Sequence, residues 1–84
     1  SAHCFGDFYT RGGLDLKTRE LLTLCILSAL GGAEGQVKAH VQGNRSVGND
    51  KDTLIAAITH CLPYMGFPRT LNALACIHEV LPEQ

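Results

Sequence analysis

Two ionisable side chains in this 84-residue chain could carry acid–base chemistry, namely Glu20 and His40. Glu20 falls in the first turns of a helix-like stretch, on a mostly apolar face. Desolvation there would raise the pKa of the carboxyl group and make it a usable acid or base. The alternative is a solvated carboxylate that interacts favourably with the N-terminal end of the helix dipole.

His40 follows Gln36 by one helical turn, so the spacing predicts that the two side chains share a face with Ala33 and Val37. A histidine beside an apolar face can act as a proton shuttle. The alternative is a core or interface histidine whose ring nitrogens are satisfied by hydrogen bonds. The spacing alone favours this second interpretation.

The other histidines do not predict a metal site. Three of them stand beside or near a cysteine, but no pair has the spacing of zinc ligands: His3, His60 and His78. We therefore expect neither a metal nor a cofactor. The four cysteines contain no CxxC. We predict free thiols in a reducing cytoplasm, with two disulfides as the alternative.

Composition limits the class of protein. Seven Lys and Arg stand against eight Asp and Glu, a net charge of -1, which excludes a strongly basic nucleic-acid module. No segment reaches the roughly 18 apolar residues of a membrane helix. We expect neither nucleic acid nor a membrane as partner. We predict one domain over residues 1–84 and leave open whether a longer chain precedes it.

Hydrophobic periodicity predicts four helices and no strand, hence an all-α fold. The helices are expected over about residues 15–30, 33–46, 50–63 and 68–81. Asp15 and Asp50 are expected N-caps, Gly31 is an expected C-cap, and Pro63 is expected to kink or end the third helix. The first helix is apolar nearly all round, which is typical of a helix buried on every side. So small a chain cannot cover it, which predicts a subunit interface.

Four segments, in order, resemble the carboxymuconolactone decarboxylase family, which is related to the alkylhydroperoxidase D-like proteins. The resemblance covers about residues 5–81 and implies an all-α domain that forms a homo-oligomer, a trimer or hexamer. The matching segments are Gly13–Leu21, Gln36–Val41, Val47–Asn49 followed by Leu54 and Ile55, and Tyr64–Pro68 followed by Asn72 and Ala73.

The resemblance implies one of two activities. One is decarboxylation of 4-carboxymuconolactone in the breakdown of aromatic compounds. The other is a thiol peroxidase that uses a CxxC, an upstream Glu and a downstream His. The Glu falls on Glu20 and the His on His40, whereas the two cysteines fall on Ala33 and Gln36. Because both redox sulfurs are absent, the resemblance favours a decarboxylase-type lyase.

The resemblance also implies further site residues. Arg11 matches an arginine of the family and would hold a substrate carboxylate, while Tyr64 is the second expected substrate-binding residue. Gln36 would orient His40 or polarise a carbonyl group. A non-catalytic oligomer that binds a small acid is the third possibility, because resemblance to a family does not fix an activity.

Overall fold

A computed structural model describes residues 13–82. Within that range the fold consists of three helices, α1 (Leu16–Leu30), α2 (Glu34–Ser46) and α3 (Lys51–Val80), and contains no strand. Each helix packs against the other two. The all-α prediction is therefore confirmed for this part of the chain. None of the helices in residues 13–82 combines the length and the hydropathy of a membrane-spanning segment.

The ends of α1 follow from local chemistry. The Asp15 carboxylate accepts a hydrogen bond of 2.8 Å from the Thr18 amide, which satisfies one free amide of the first turn. Hydrogen bonds from the Thr18 side chain and from its amide lower the pKa of Asp15. At the other end, Gly31 takes a φ of +76° and its amide donates to the Leu27 carbonyl. A residue with a Cβ would be strained there. Both predicted caps are confirmed.

Helix α3 is interrupted at Gly66, which has a non-helical φ of +84° and ψ of 165°. The third and fourth predicted helices are thus the two halves of α3. Pro63 does not end the first half, because the helix continues past it to residue 65. The Thr70 hydroxyl donates to the Gly66 carbonyl at 2.8 Å, the bond to the carbonyl four residues earlier that a threonine in a helix can make.

The apolar core lies where the three helices meet. Helix α2 contributes Val37 and Val41, spaced by four residues, and its buried face then continues to Asn44. Gln36, which the spacing placed on the apolar face, is exposed. The buried apolar side chains are Leu24, Val37, Val41, Leu54, Ile58, Met65, Ala73, Cys76, Ile77 and Leu81.

Helix α1 is not buried on every side within the chain. Leu22, Ile26 and Leu30 recur every four residues and are 45%, 59% and 66% exposed. Residues at this spacing form one stripe along a helix. We call these three residues the α1 stripe.

Candidate active site

Glu20 and His40 meet across the contact between α1 and α2. The Oε1 atom of Glu20 lies 2.9 Å from Nδ1 of His40. The two side chains are only 10% and 21% exposed. Because Nδ1 is committed to the carboxylate, Nε2 is the ring nitrogen left for another molecule. The structure thus brings together the two acid–base residues that the sequence indicated.

Gly43 makes room for this pair. It lies three residues after His40 on α2, and a Cβ placed on it would be 2.6 Å from Oε1 and 3.2 Å from Cδ of Glu20. Real side chains do not approach that closely, so any larger residue would displace the carboxylate. Sequence reasoning missed Gly43. The available signal was a glycine inside a helix, which costs about 0.5–1 kcal/mol relative to alanine.

Asn44 fixes the backbone that carries the pair. It is fully buried, and its side-chain amide donates to the carbonyls of Glu20 at 3.1 Å and His40 at 2.7 Å. Its Oδ1 accepts a hydrogen bond of 2.9 Å from the side-chain amide of Asn49, and the same Asn49 side chain donates to the Lys17 carbonyl. These bonds tie α1 to the end of α2. Sequence reasoning missed both asparagines, although Asn44 continues the spacing of Val37 and Val41.

Of the other predicted site residues, two are exposed and one lies outside the described part of the chain. Gln36 is exposed in the first turn of α2, one turn before His40. Tyr64 is 85% exposed, two residues before the break in α3. Arg11 lies outside the described residues. Their roles stay predictions. No group of three or more His, Cys, Asp or Glu in residues 13–82 is placed to hold a metal ion.

A cavity of about 210 Å³ lies between the end of α1, the start of α2 and the second half of α3. Neither Glu20 nor His40 lines it, although Val37 in its wall precedes His40 by three residues. Its lining combines apolar and polar groups: Leu27, Ser28, Gly31, Gly32, Ala33, Glu34, Val37, Arg69, Asn72, Ala73 and Cys76.

Comparison with known proteins agrees with the resemblance noted in the sequence. The sequence model of the carboxymuconolactone decarboxylase family matches residues 1–79. The chain belongs to this family. It is also 34% identical over 83 residues to a protein named 4-carboxymuconolactone decarboxylase from Acinetobacter baylyi, an alignment that covers 99% of this chain and 61% of the relative. The chain thus spans about three-fifths of the length of that relative.

Among the described residues of this carboxymuconolactone decarboxylase family member, Cys25 and Cys76 are poorly suited to thiolate chemistry. Cys25, Cys61 and Cys76 are free thiols. Burial, together with the neighbouring Cys61 thiol, raises the pKa of Cys25 to about 12. Burial also raises the pKa of Cys76. A peroxidatic cysteine needs the opposite shift, because the thiolate is the nucleophile.

Proposed function

We propose that this member of the carboxymuconolactone decarboxylase family is a lyase. Its substrate would be a small carboxylactone-like acid formed in the breakdown of aromatic compounds. The observation that carries the proposal is the hydrogen bond of 2.9 Å between Glu20 and His40 at a partly shielded position. The name of the Acinetobacter baylyi relative, 4-carboxymuconolactone decarboxylase, supports the substrate class.

The geometry suits protonation of carbon after loss of CO2. In such a reaction the bond between the ring carbon and the carboxyl carbon breaks, CO2 leaves, and the electron pair is delocalised toward the lactone carbonyl. Protonated His40 would donate a proton from Nε2 to carbon and become neutral, then regain a proton from water. Glu20, as carboxylate, would accept from Nδ1–H, orient the ring and stabilise its protonated form.

The test follows the ultraviolet absorbance of 4-carboxymuconolactone with purified protein. We expect His40→Ala to lower the rate by about 10²–10⁴-fold, the usual contribution of a positioned acid or base. Glu20→Gln should lower kcat with little change in KM, because Glu20 acts through His40. His60→Ala is the matched control, since His60 is an exposed histidine on α3. A His40→Ala variant that turns over the lactone at the wild-type rate would contradict the proposal.

The other two functions make different predictions in the same assay. A thiol peroxidase would leave the lactone unchanged and consume hydroperoxide, but Ala33 and Gln36 stand at the positions of its two cysteines. A non-catalytic binding protein would leave the lactone unchanged and still bind a small acid. The Glu20–His40 pair favours the lyase over a binding protein, because simple binding does not need a carboxylate held on an imidazole nitrogen. A thiol peroxidase would use the same pair, and it is disfavoured only by the missing cysteines.

We also propose that the chain acts as a homo-oligomer, a trimer or hexamer, in which the α1 stripe lies at a subunit contact. Burial of these three neighbouring apolar side chains in a subunit contact would remove them from water, which lowers the free energy. Light scattering should therefore show an oligomer, and Ile26→Lys should lower its mass. Gln42→Lys, an exposed change on α2, is the control. A monomeric wild-type protein would contradict this proposal.

A further inference from the structure

The cavity beside the Glu20–His40 pair has a cationic wall. Arg69 lines it, and Nε of Arg69 lies 2.8 Å from the point that a Cβ on Gly31 would occupy. The guanidinium group therefore lies directly over the end of α1, where only a glycine leaves room for it. Arg69 is not a partner in the ion pairs that join Lys38 to Glu79 and His40 to Glu20.

The start of α2 adds partial positive charge to the same cavity. The cavity wall includes Ala33 and Glu34, which stand just before and at the first residue of α2. Ala33 is the N-cap and makes no side-chain hydrogen bond to the helix. The Val37 amide makes the first bond within the helix, to the Ala33 carbonyl, so the three preceding amides have no acceptor inside α2. Such amides favour an anion.

The rest of the wall is suited to a small organic molecule. Its apolar residues include Leu27, Val37 and Ala73. Asn72, three residues after Arg69 on α3, adds a polar side-chain amide. Small-molecule sites are typically apolar with a few polar groups that fix orientation. The Cys76 thiol is buried in the same wall, and burial raises its pKa, so the neutral thiol adds no charge.

One group in the wall opposes an anion. The Glu34 side chain is exposed and carries a carboxylate at the edge of the cavity. It therefore lowers the affinity for an anion that Arg69 raises. Because the two residues act in opposite directions, their substitution tests the sign of the ligand charge.

We propose that this cavity binds a small organic carboxylate, and that Arg69 is the residue that holds the carboxylate group. The planar guanidinium can donate two parallel hydrogen bonds to a carboxylate. The inference rests on the proposed function for the nature of the acid. Val37, which lines the cavity, lies three residues before His40, a rise of about 4.5 Å along α2. The cavity is therefore a neighbour of the acid–base pair.

A purely stabilising role for Arg69 is the competing explanation. A cation at the C-terminal end of α1 interacts favourably with the helix dipole. That role predicts a lower melting temperature for Arg69→Gln and no effect on ligand affinity. Binding and melting must therefore be measured on the same variants.

Calorimetric titration with paraconate, a stable saturated lactone with one carboxylate, tests the proposal. Methyl paraconate is the uncharged control. We expect Arg69→Gln to weaken paraconate binding by about tenfold or more, the usual loss for a hydrogen bond to a charged group. Arg69→Lys should give an intermediate loss, and Glu34→Gln should strengthen binding. Neither Arg69→Gln nor Glu34→Gln should change the affinity for the ester.

His40→Ala separates this inference from the proposed lyase activity. It should bind paraconate like the wild type even though it no longer turns over the lactone. Binding that depends on Arg69, together with no turnover by the wild type, would overturn the lyase and leave the carboxylate site. Turnover of the lactone by the wild type, together with paraconate binding that does not depend on Arg69, would support the lyase and overturn the carboxylate site.

Three results would overturn the carboxylate site. The first is that the wild type shows no binding of paraconate at millimolar concentrations. The second is equal binding by the wild type and Arg69→Gln, and the third is binding that His40→Ala abolishes and Arg69→Gln retains. If Arg69→Gln does not fold, Glu34→Gln decides, because an affinity that is unchanged or lower contradicts an anion in this cavity.

Discussion

The carboxylate of Glu20 occupies the space that a side chain at Gly43 would fill. A Cβ on Gly43 would lie 2.6 Å from the same Oε1 atom that lies 2.9 Å from Nδ1 of His40. One oxygen is thus held between an imidazole ring and a bare stretch of helix backbone. The geometry of the acid–base pair therefore depends on a residue that has no side chain.

Gly43→Ala should displace the Glu20 carboxylate and break its hydrogen bond to His40. We expect the protein to lose about 1–3 kcal/mol of stability, as is usual when a methyl group is forced into a filled site. Denaturant unfolding measures the loss. The nitrogen NMR signal of His40 Nδ1 should shift, which reports the broken hydrogen bond without any assay of activity.

Gly35→Ala is the matched control for this prediction. Gly35 lies in the same helix, but a Cβ placed on it meets nothing within 4 Å. Alanine at an unstrained helical position should stabilise the protein by about 0.4–1 kcal/mol. A gain in stability for both variants, with an unchanged His40 signal, would show that Gly43 does not shape the pair.

Asn44→Ala should destabilise the protein by about 2–4 kcal/mol. The change removes two donors and one acceptor from a fully buried position, leaves the Asn49 amide without the Asn44 oxygen, and opens a small void. Gln42→Ala, exposed on the same helix, should change stability by less than about 0.5 kcal/mol. Urea unfolding of both variants checks the difference. Equal stabilities would refute the bracing role of Asn44.

Helix ends were predictable from the sequence because their causes are local. Asp15 and Asp50 cap the turns that follow them, and Gly31 takes the positive φ expected past the end of α1. Pro63 pointed to the region of the break in α3 but not to the residue. The break falls at Gly66, since only glycine adopts its φ of +84° without strain.

Gly43 and Asn44 could not be assigned from the sequence, because their importance depends on the contact between α1 and α2. Nothing within α2 requires a glycine at position 43, and only the approach of Glu20 does. Asn44 is likewise explained by the carbonyl of Glu20, which lies 24 residues earlier. Interhelical contacts of this kind are not encoded in local periodicity, which is also why the exposed Gln36 was placed on the buried face.

Cys25 and Cys76 should react slowly with iodoacetamide at pH 7. Burial raises the pKa of both thiols, to about 12 for Cys25, so the reactive thiolate is scarce in the folded protein. Unfolding in urea should restore ordinary rates. Mass spectrometry of tryptic peptides gives the rate for each residue. Rapid labelling of Cys25 in the folded protein, suppressed by prior peroxide treatment, would instead favour the peroxidase.

The cap at Asp50 should make stability depend on pH in the acid range. Hydrogen bonds from the Thr53 hydroxyl and amide, at 2.7 and 2.9 Å, lower the pKa of the Asp50 carboxyl in the folded state. A lowered carboxyl pKa contributes stability that is complete above the unfolded value of about 3.9 and is lost as the pH falls through the folded value. The wild type should therefore lose more melting temperature between pH 6 and pH 3 than Asp50→Asn, because asparagine still accepts the capping bonds but does not titrate. Parallel pH profiles for the two proteins would show that the carboxylate charge adds nothing to this cap.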